Sequence, residues 1–236
     1  MKTAKLLTVC LTLFCANSSI RAQGFINLNF ENASFTVDPA GAFPPYSVFA
    51  SNAIPGWTAY LDGIPQMDIL SNEATAGSAM VSLQGTNPPI YFEPFLEPAL
   101  QGEWSIFLQG FFGTTNNSYP LTASIGQTGR IPADANSLTF WAYFPYSNDT
   151  FSVSFNGRDL SWFVVSNALN YSVCAVDISA YAGQTGQLLF NAGRFTYVEL
   201  DNIQFSSLPI PEPGVFSLVC LGGGGVLVYV IRRRHR

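Results

Sequence analysis

The stretch Phe151-Ser152-Val153-Ser154-Phe155-Asn156-Gly157 decides the fold class. Its three apolar residues alternate with two serines, which is the period of a β-strand that buries one face. The dipeptide Asn156-Gly157 follows directly, and Asn-Gly favours a two-residue type I′ hairpin because both residues accept a positive φ. The stretch therefore predicts a half-buried strand that ends in a tight antiparallel turn.

Short runs of the same character recur on both sides of this stretch, separated by turn signals such as Asp62-Gly63 and Ala192-Gly193. Ten runs have strand character: 25–30, 79–84, 104–112, 121–126, 137–144, 151–155, 160–165, 171–178, 187–191 and 197–205. No segment between the two ends of the chain has a helical period, and no 40-residue repeat suggests a propeller. The sequence predicts an all-β fold, an antiparallel β-sandwich of jelly-roll type over residues 23–208.

The composition agrees with this class and excludes one kind of partner. The 236 residues include 20 Phe, 10 Tyr and 4 Trp, which suit pleated, half-buried surfaces. Residues 23–210 contain three arginines and fourteen acidic residues, a net charge of about −11. A region this acidic has no basic surface for phosphates, so we expect no nucleic-acid partner.

The first 22 residues have the three parts of a secretory signal peptide. Lys2 and Lys5 precede an apolar run at 6–16, and small or polar residues lead to Ala22. The run is too short to span a bilayer comfortably. Cys15 suggests a lipoprotein site, but Phe14 before it is too bulky for that pattern. Removal of residues 1–22 is therefore predicted, and the protein is expected to be exported.

The C-terminal end combines three features in a fixed order. Pro211-Glu212-Pro213 precedes an uncharged apolar run at 215–231, and residues 232–236 are Arg-Arg-Arg-His-Arg. A helix over 215–231 would reach roughly 25 Å, the low end of what spans a bilayer. The positive-inside bias would keep 232–236 in the cytoplasm and the body outside. The run thus predicts one transmembrane helix, as a plain anchor or as a transient one.

In this order, segment 209–236 resembles the PEP-CTERM sorting signal of Gram-negative bacteria. The resemblance implies that Pro211, Glu212 and Pro213 form a sorting motif and that an exosortase, a membrane-embedded cysteine transpeptidase, removes the tail. It implies a single-pass inner-membrane precursor and a mature form at the cell surface or outside the cell, often amid extracellular polysaccharide. Gly214 departs from the commoner Ser or Ala, and Cys220 interrupts the aliphatic run.

Three short segments of the body resemble galactose-binding-like jelly rolls, a group that includes carbohydrate-binding modules. They are Asn27-Leu28-Asn29-Phe30-Glu31, Ile54-Pro55-Gly56-Trp57 and Leu200-Asp201-Asn202-Ile203. The resemblance implies a structural calcium ion that Glu31 and Asp201 help to hold.

The alternation of side chains along the predicted last strand also indicates Asp201 as a candidate cation ligand, independently of this resemblance. Asp201 shares parity with Ile203 and Phe205, so a regular strand would turn it toward the core. A buried carboxylate must be paired, protonated or bound to a cation, and calcium takes six to eight oxygen ligands. The alternatives are a bulge that turns Asp201 to solvent and hydrogen bonding to a neighbouring turn.

Aromatic residues supply candidates for a platform on which sugar rings stack. The candidates are Trp57, Tyr60, Trp104, Trp141, Tyr143, Tyr146 and Trp162. We single out Trp57, together with Trp141 and Tyr143, which oppose the parity of Leu138 and Phe140. The alternative is that these rings belong to the core, where the aromatic residues of a sandwich usually lie.

Catalysis is not expected. Residues 23–210 contain no histidine, no lysine and one cysteine, Cys174, so the usual nucleophile–base pairs are missing. Two carboxylates could hydrolyse a glycosidic bond, but the sequence alone pairs none of them. Two hypotheses for the body follow: a non-catalytic carbohydrate-binding module, and a structural or adhesive surface protein without a small-molecule ligand.

Overall fold

The computed structural model describes residues 24–43, 46–74, 78–86, 98–112, 120–146 and 148–210. One helical turn, α1, is Ala50–Ala53, and Ser179–Tyr181 forms a turn of 3-10 helix. The strands are β1 (Ser47–Phe49), β2 (Thr58–Leu61), β3 (Ile64–Pro65), β4 (Asp68–Ser71), β5 (Met80–Gly85), β6 (Trp104–Gln109), β7 (Ala123–Arg130), β8 (Ser137–Tyr143), β9 (Phe151–Phe155), β10 (Arg158–Leu160), β11 (Trp162–Asn167), β12 (Ser172–Asp177), β13 (Thr185–Ala192) and β14 (Tyr197–Ser206).

The strands form two sheets that pack face to face. The large sheet has the order β1-β4-β5-β6-β14-β8-β12-β11, and the small sheet has the order β10-β9-β13-β7-β2-β3. The chain passes repeatedly from one sheet to the other, as in a jelly roll. Among the described strands, every pairing is antiparallel except that of β4 with β5. The predicted antiparallel β-sandwich is confirmed, with this one parallel pair.

The β9–β10 hairpin has the predicted geometry. Phe155 pairs with Arg158, and the two residues between them have φ values of 50° at Asn156 and 72° at Gly157. Positive φ at both central positions is the type I′ turn. The strand predicted at 160–165 is present as residues 162–165 of β11, but its start is misplaced, because Leu160 ends β10 and the chain crosses between the sheets at Ser161.

Aromatic rings fill the space between the sheets. Phe190 on β13 contacts Phe140 on β8 at 5.3 Å between ring centroids and Trp57 at 6.2 Å. All three side chains are buried. Burial of one such side chain contributes about 1.5–3 kcal/mol, so these rings are a main source of the stability of the sandwich.

The predicted first strand, 25–30, is wrong. Asn27 and Phe30 have φ values of 50° and 58°, so this segment folds into tight turns. The Asn27 carbonyl accepts a hydrogen bond from the Trp57 indole at 3.0 Å, and the Leu28 carbonyl accepts one from the Ile203 amide at 2.9 Å. The bond to Ile203 holds the segment against β14, which brings Glu31 to the same end of the sandwich as Asp201.

The two ends of the chain lie outside the described residues. This applies to the signal peptide at 1–22, the motif Pro211-Glu212-Pro213, the apolar run at 215–231 and the basic tail at 232–236. Within the described part of the chain, no helix has the length and apolar character needed to cross a membrane.

Candidate functional site

The face of the large sheet that points away from the core, here called the outer face, carries the candidate residues. On β8, Leu138, Phe140 and Ala142 are fully buried in the core, whereas Trp141 and Tyr143 point to the outer face and are half-buried. Alternation along the strand imposes this division. Both tryptophan and tyrosine therefore lie where the sequence places them, opposite the core side of β8.

Trp141 stacks on a second aromatic ring. Its indole lies parallel to the ring of Tyr171, with centroids 4.0 Å apart and an interplanar angle of 11°. Tyr171 comes from the connection between β11 and β12. Asp201 on β14 is the direct cross-strand partner of Trp141, so their side chains leave the sheet side by side.

A second group of rings lies toward one end of the outer face. Phe112, Tyr146 and Phe195 are 43–49% exposed and surround the nearly buried Tyr197, with centroids of contacting rings 5.3–5.9 Å apart. We call these four residues the aromatic end cluster. Of them, sequence reasoning named only Tyr146. The sequence does contain a signal that Phe195 is exposed. Phe195 follows the turn dipeptide Ala192-Gly193, and a bulky ring in a turn is seldom buried.

Polar side chains on β5, β6 and β14 are buried on the same face of the large sheet. Ser82, Gln84, Ser105 and Glu199 are fully buried, and the Ser105 hydroxyl donates a hydrogen bond to Glu199 Oε1. The Gln84 amide donates to the Ser82 hydroxyl at 2.7 Å. These polar groups are inaccessible, so half-buried and exposed rings such as Trp141, Tyr143, Tyr146 and Phe112 form the aromatic part of the accessible outer face.

A β-bulge decides the position of Asp201. Asn202 has a φ of 48°, and the register of β14 with β8 shifts between Asp201 and Gln204. Ile203 and Phe205 pack against the core, whereas Asp201 lies on the outer face. The expectation from regular parity that Asp201 faces the core is wrong, because the extra residue reverses the faces.

Asp201 is nevertheless only 1% exposed, because the loop before β6 covers it. Its two carboxylate oxygens accept hydrogen bonds from the backbone amides of Gln101 at 2.9 Å and Asn202 at 2.5 Å. Burial raises the pKa of Asp201 to about 7, the two backbone amides lower it, and the nearby Glu31 carboxylate raises it.

Glu31 and Asp201 line the same cavity. Its volume is about 200 Å³, and its other lining residues are Asn29, Gln101, Gly102 and Asn202. The Glu31 carboxylate accepts hydrogen bonds from the amides of Glu103 at 3.0 Å and Trp104 at 3.3 Å. A Cβ at position 102 would collide with Glu31 Oε1, so Gly102 leaves the room that this carboxylate occupies.

The donor set of this cavity fits a calcium ion. Calcium prefers carboxylate and carbonyl oxygens, and carboxylates and side-chain amides line the cavity. A cation between Glu31 and Asp201 would also offset the burial and repulsion that raise the Asp201 pKa. No group of three or more His, Cys, Asp or Glu is present among the described residues, so amides, carbonyls or water would complete the shell.

Three other sequence candidates lie elsewhere. Trp57 is 4% exposed and packs between Phe30 and Phe190 in the core, so its predicted contact with sugar is wrong. Trp162 packs against the core beside Phe144, and Trp104 is half-buried against the core. Strand alternation could not identify Trp57, because it lies just before β2 and outside any regular strand.

Cys174 is fully buried, and burial raises its pKa to about 12. A thiol in this environment stays protonated at neutral pH and is a poor nucleophile.

No protein-family profile matches the sequence, and a comparison with curated proteins gives no match.

Several solved structures are similar in fold. The Stig cyclase Fisc from Fischerella sp. TAU is 14% identical with a TM-score of 0.39, over 81% of this chain and 99% of that one. The family 11 carbohydrate-binding module from Clostridium thermocellum, in complex with a mixed-linked tetrasaccharide, is 9% identical with a TM-score of 0.34, over 70% and 97%. A cleaved adhesin domain of Lys-gingipain from Porphyromonas gingivalis is 13% identical with a TM-score of 0.35, over 64% and 90%. All three TM-scores lie below 0.5, so none of these proteins assigns a function to this chain.

Proposed function

We propose that the body of this protein is a non-catalytic carbohydrate-binding module whose ligand lies on the outer face of the large sheet. The single observation that carries the proposal is the placement of Trp141 beside Asp201. A sugar ring has an apolar C–H face, which packs on an aromatic ring, and hydroxyls, which bond to carboxylates and amides. Trp141 offers the apolar contact, and the side chains of the exposed residues Asn29 and Gln101, which line the cavity at Asp201, offer amides at a neighbouring position.

The layout of the rings favours an extended glycan over a single sugar. Tyr143 lies two residues along β8 from Trp141, about 7 Å at the rise of a strand. It is the cross-strand partner of Glu199, and Tyr197 of the aromatic end cluster lies two residues further back on β14. A polysaccharide segment could thus contact Trp141, Tyr143 and the aromatic end cluster in turn.

Calcium has a structural part in this proposal. An ion held by Glu31 and Asp201 would join the N-terminal turns and the bulge of β14, which are far apart in sequence. Asp201 and Trp141 would then keep their relative positions because the bulge is fixed. The chemistry supplied by the ion is charge neutralisation and cross-linking of the two segments.

Hydrolysis is not part of the proposal. A general acid must present its proton to the leaving-group oxygen. Each oxygen of Asp201 accepts a backbone N–H, and Glu31 is engaged by two further amides. Both carboxylates are therefore oriented as acceptors, which suits holding a cation better than proton transfer to a glycosidic bond.

A glycan array tests sugar binding. We expect the wild type to bind one class of polysaccharide and Trp141→Ala to lose at least about tenfold in affinity, the effect of removing a central aromatic anchor. Phe35→Ala removes another exposed ring, 51% exposed, from the segment that lies beside β1, four strands away from β14 in the large sheet, and should leave binding unchanged. If a folded wild type binds no glycan at all, the module is excluded and the structural or adhesive hypothesis takes its place.

Chelation tests the calcium site separately. We expect EDTA to lower the melting temperature of the wild type and added calcium to restore it, since a ligand of the folded state stabilises it. Glu31→Gln should melt like the chelated wild type and show no response to calcium. A wild type whose melting temperature is the same with EDTA and with calcium has no calcium site here.

Export and sorting belong to the same proposal and rest on the two ends of the sequence. The protein would be a substrate of exosortase, inserted transiently in the inner membrane and released to the cell surface or beyond. Intact mass measurement of the surface form of wild type and Glu212→Ala tests this. Loss of the tail in wild type and its retention in the variant are expected. A wild-type surface form that keeps residues 215–236 would mean a plain membrane anchor.

A further inference from the structure

The four edges of the two sheets are protected unequally. Edge strands normally carry devices that prevent pairing with another chain, such as shortness, charge, proline, a β-bulge or a covering segment. Residues 36–38 cover β1 through backbone hydrogen bonds, for example from the Phe49 amide to the Thr36 carbonyl at 3.1 Å. The strand β3 has two residues and contains Pro65, and β10 has three residues that include Arg158 and Asp159.

The remaining edge strand, β11, is six residues long and has a described neighbour on one side only, β12. Its sequence, Trp-Phe-Val-Val-Ser-Asn, lies within an uncharged stretch that runs from 160 to 176. Val164 and Val165 are 43% and 41% exposed, and Leu169 in the following turn is fully exposed. A bulge between Val164 and Ser166 protects the second half of β11, but Trp162, Phe163 and Val164 keep a regular register and form the unprotected part of this edge.

The distribution of charge over the body favours a second copy of this chain as the partner of the β11 edge. The body carries about −11, with acidic residues spread along the chain, so most ways of bringing two copies together oppose like charges. The β11 edge is an exception, because neither the strand nor its turn has a charged side chain. Two identical edges that meet about a two-fold axis pair antiparallel, and the valines of one copy then meet those of the other.

We propose that β11 is a self-association edge, through which two copies of this chain join their large sheets into one continuous antiparallel sheet. The inference is independent of sugar binding, since β11 lies at the border of the sheet and Trp141 faces outward from its interior. The occupant is a second copy, held by backbone hydrogen bonds and by the contact of the exposed valines.

Sedimentation of the full chain in a mild detergent that covers its apolar ends tests this. We expect wild type to be a dimer and Val164→Lys to be a monomer, because the lysines of the two copies would face each other across the new pairing. Ile64→Lys is the matched control, since Ile64 is 65% exposed on the other edge strand β3. It should stay dimeric. A monomeric wild type, a dimeric Val164→Lys or a monomeric Ile64→Lys each overturns the proposal.

Cross-linking gives a second, positive test. In a two-fold antiparallel pairing the middle of β11 lies next to its own copy. Val164→Cys should therefore form a disulfide between two copies on mild oxidation, and peptide mass spectrometry should find residue 164 joined to residue 164. Ile64→Cys should not form the equivalent link. Absence of the 164–164 peptide in a folded variant would overturn the edge assignment.

Discussion

The residue whose environment says most about this molecule is Asp201. It is buried beside Glu31 with no basic side chain among the residues that line its cavity, and its pKa is raised to about 7. The unfolded chain would release the same proton near pH 3.9. The folded state therefore binds more protons between these two values.

This difference predicts the pH dependence of stability without divalent cations. The favourable contribution of protonated Asp201 is fully present below about pH 4 and is lost as the pH rises through about 7, so the free energy of unfolding should fall across that range. Urea unfolding in EDTA at several pH values measures it. Asp201→Asn should remove this part of the slope, and an unchanged slope would assign the effect to another group.

The turn at Asn156-Gly157 supports a second prediction about a single residue. Gly157 has a φ of 72°, and a Cβ built there meets no atom within 4 Å. The cost of Gly157→Ala is therefore purely conformational, about 1 kcal/mol of stability. Gly24 also has open space but no positive φ, so Gly24→Ala should change stability by less than about 0.5 kcal/mol. Denaturant midpoints of the two variants check the contrast, and equal losses would contradict it.

Among the elements, β8 carries residues of two kinds in alternation. Those that face the core contribute to stability, and those that face outward are available to a ligand. Phe140 faces the core and is fully buried, whereas its neighbour Trp141 faces outward. We expect Phe140→Ala to cost about 3–5 kcal/mol and Trp141→Ala no more than about 2 kcal/mol. Trp141→Ala should lose glycan binding, and Phe140→Ala should retain it wherever the protein stays folded. Thermal unfolding and titration with the ligand identified by the array measure both quantities.

The elements also show how far the sequence can be interpreted. Apart from β10, the strands from β5 onward were predictable because short runs rich in apolar residues lie between turn signals there, and β9 also alternates. The strands β1 to β4 were not predicted, since two to four residues are too few to show a period. Segment 25–30 is apolar like a strand, but positive φ at Asn27 and Phe30 turns it into loops that tertiary contacts hold.

The residues of the candidate site divide in the same way, into positions that strand alternation predicts and positions that only the fold determines. Alternation places Trp141 and Tyr143 opposite Leu138 and Phe140, but both sides of β8 are apolar, so only the fold decides which side is the core. The position of Asp201 depends on a single bulge residue, Asn202, and asparagine is one of the few residues that accept a left-handed conformation readily. Only the fold brings Glu31, Gln101 and Asp201 to one cavity, because they are separated by 70 and 100 residues in the chain.

For the whole molecule, the acidic charge restricts the choice of ligand. A body at about −11 repels polyanions over a distance set by ionic strength, about 10 Å at 0.1 M salt. We expect neutral polysaccharides to bind more tightly than polyuronates, and any binding to polyuronates to improve as salt is added. Titrations of matched neutral and acidic glycans at two salt concentrations test this. Tighter binding of the acidic glycan at low salt would contradict it.

The complete burial of Cys174 has a practical consequence for every experiment above. It is the only cysteine between residues 23 and 210, and it is protonated and inaccessible in the folded state. Alkylation of this thiol therefore requires the sandwich to open, and where reclosing is fast its rate reports the equilibrium between closed and open molecules. A calcium ion or glycan that binds only the folded protein would slow alkylation by a factor of 1 + [L]/Kd. When it is followed at Cys174 itself by peptide mass spectrometry, alkylation thus measures ligand affinity in the natural sequence, wherever on the sandwich the ligand sits.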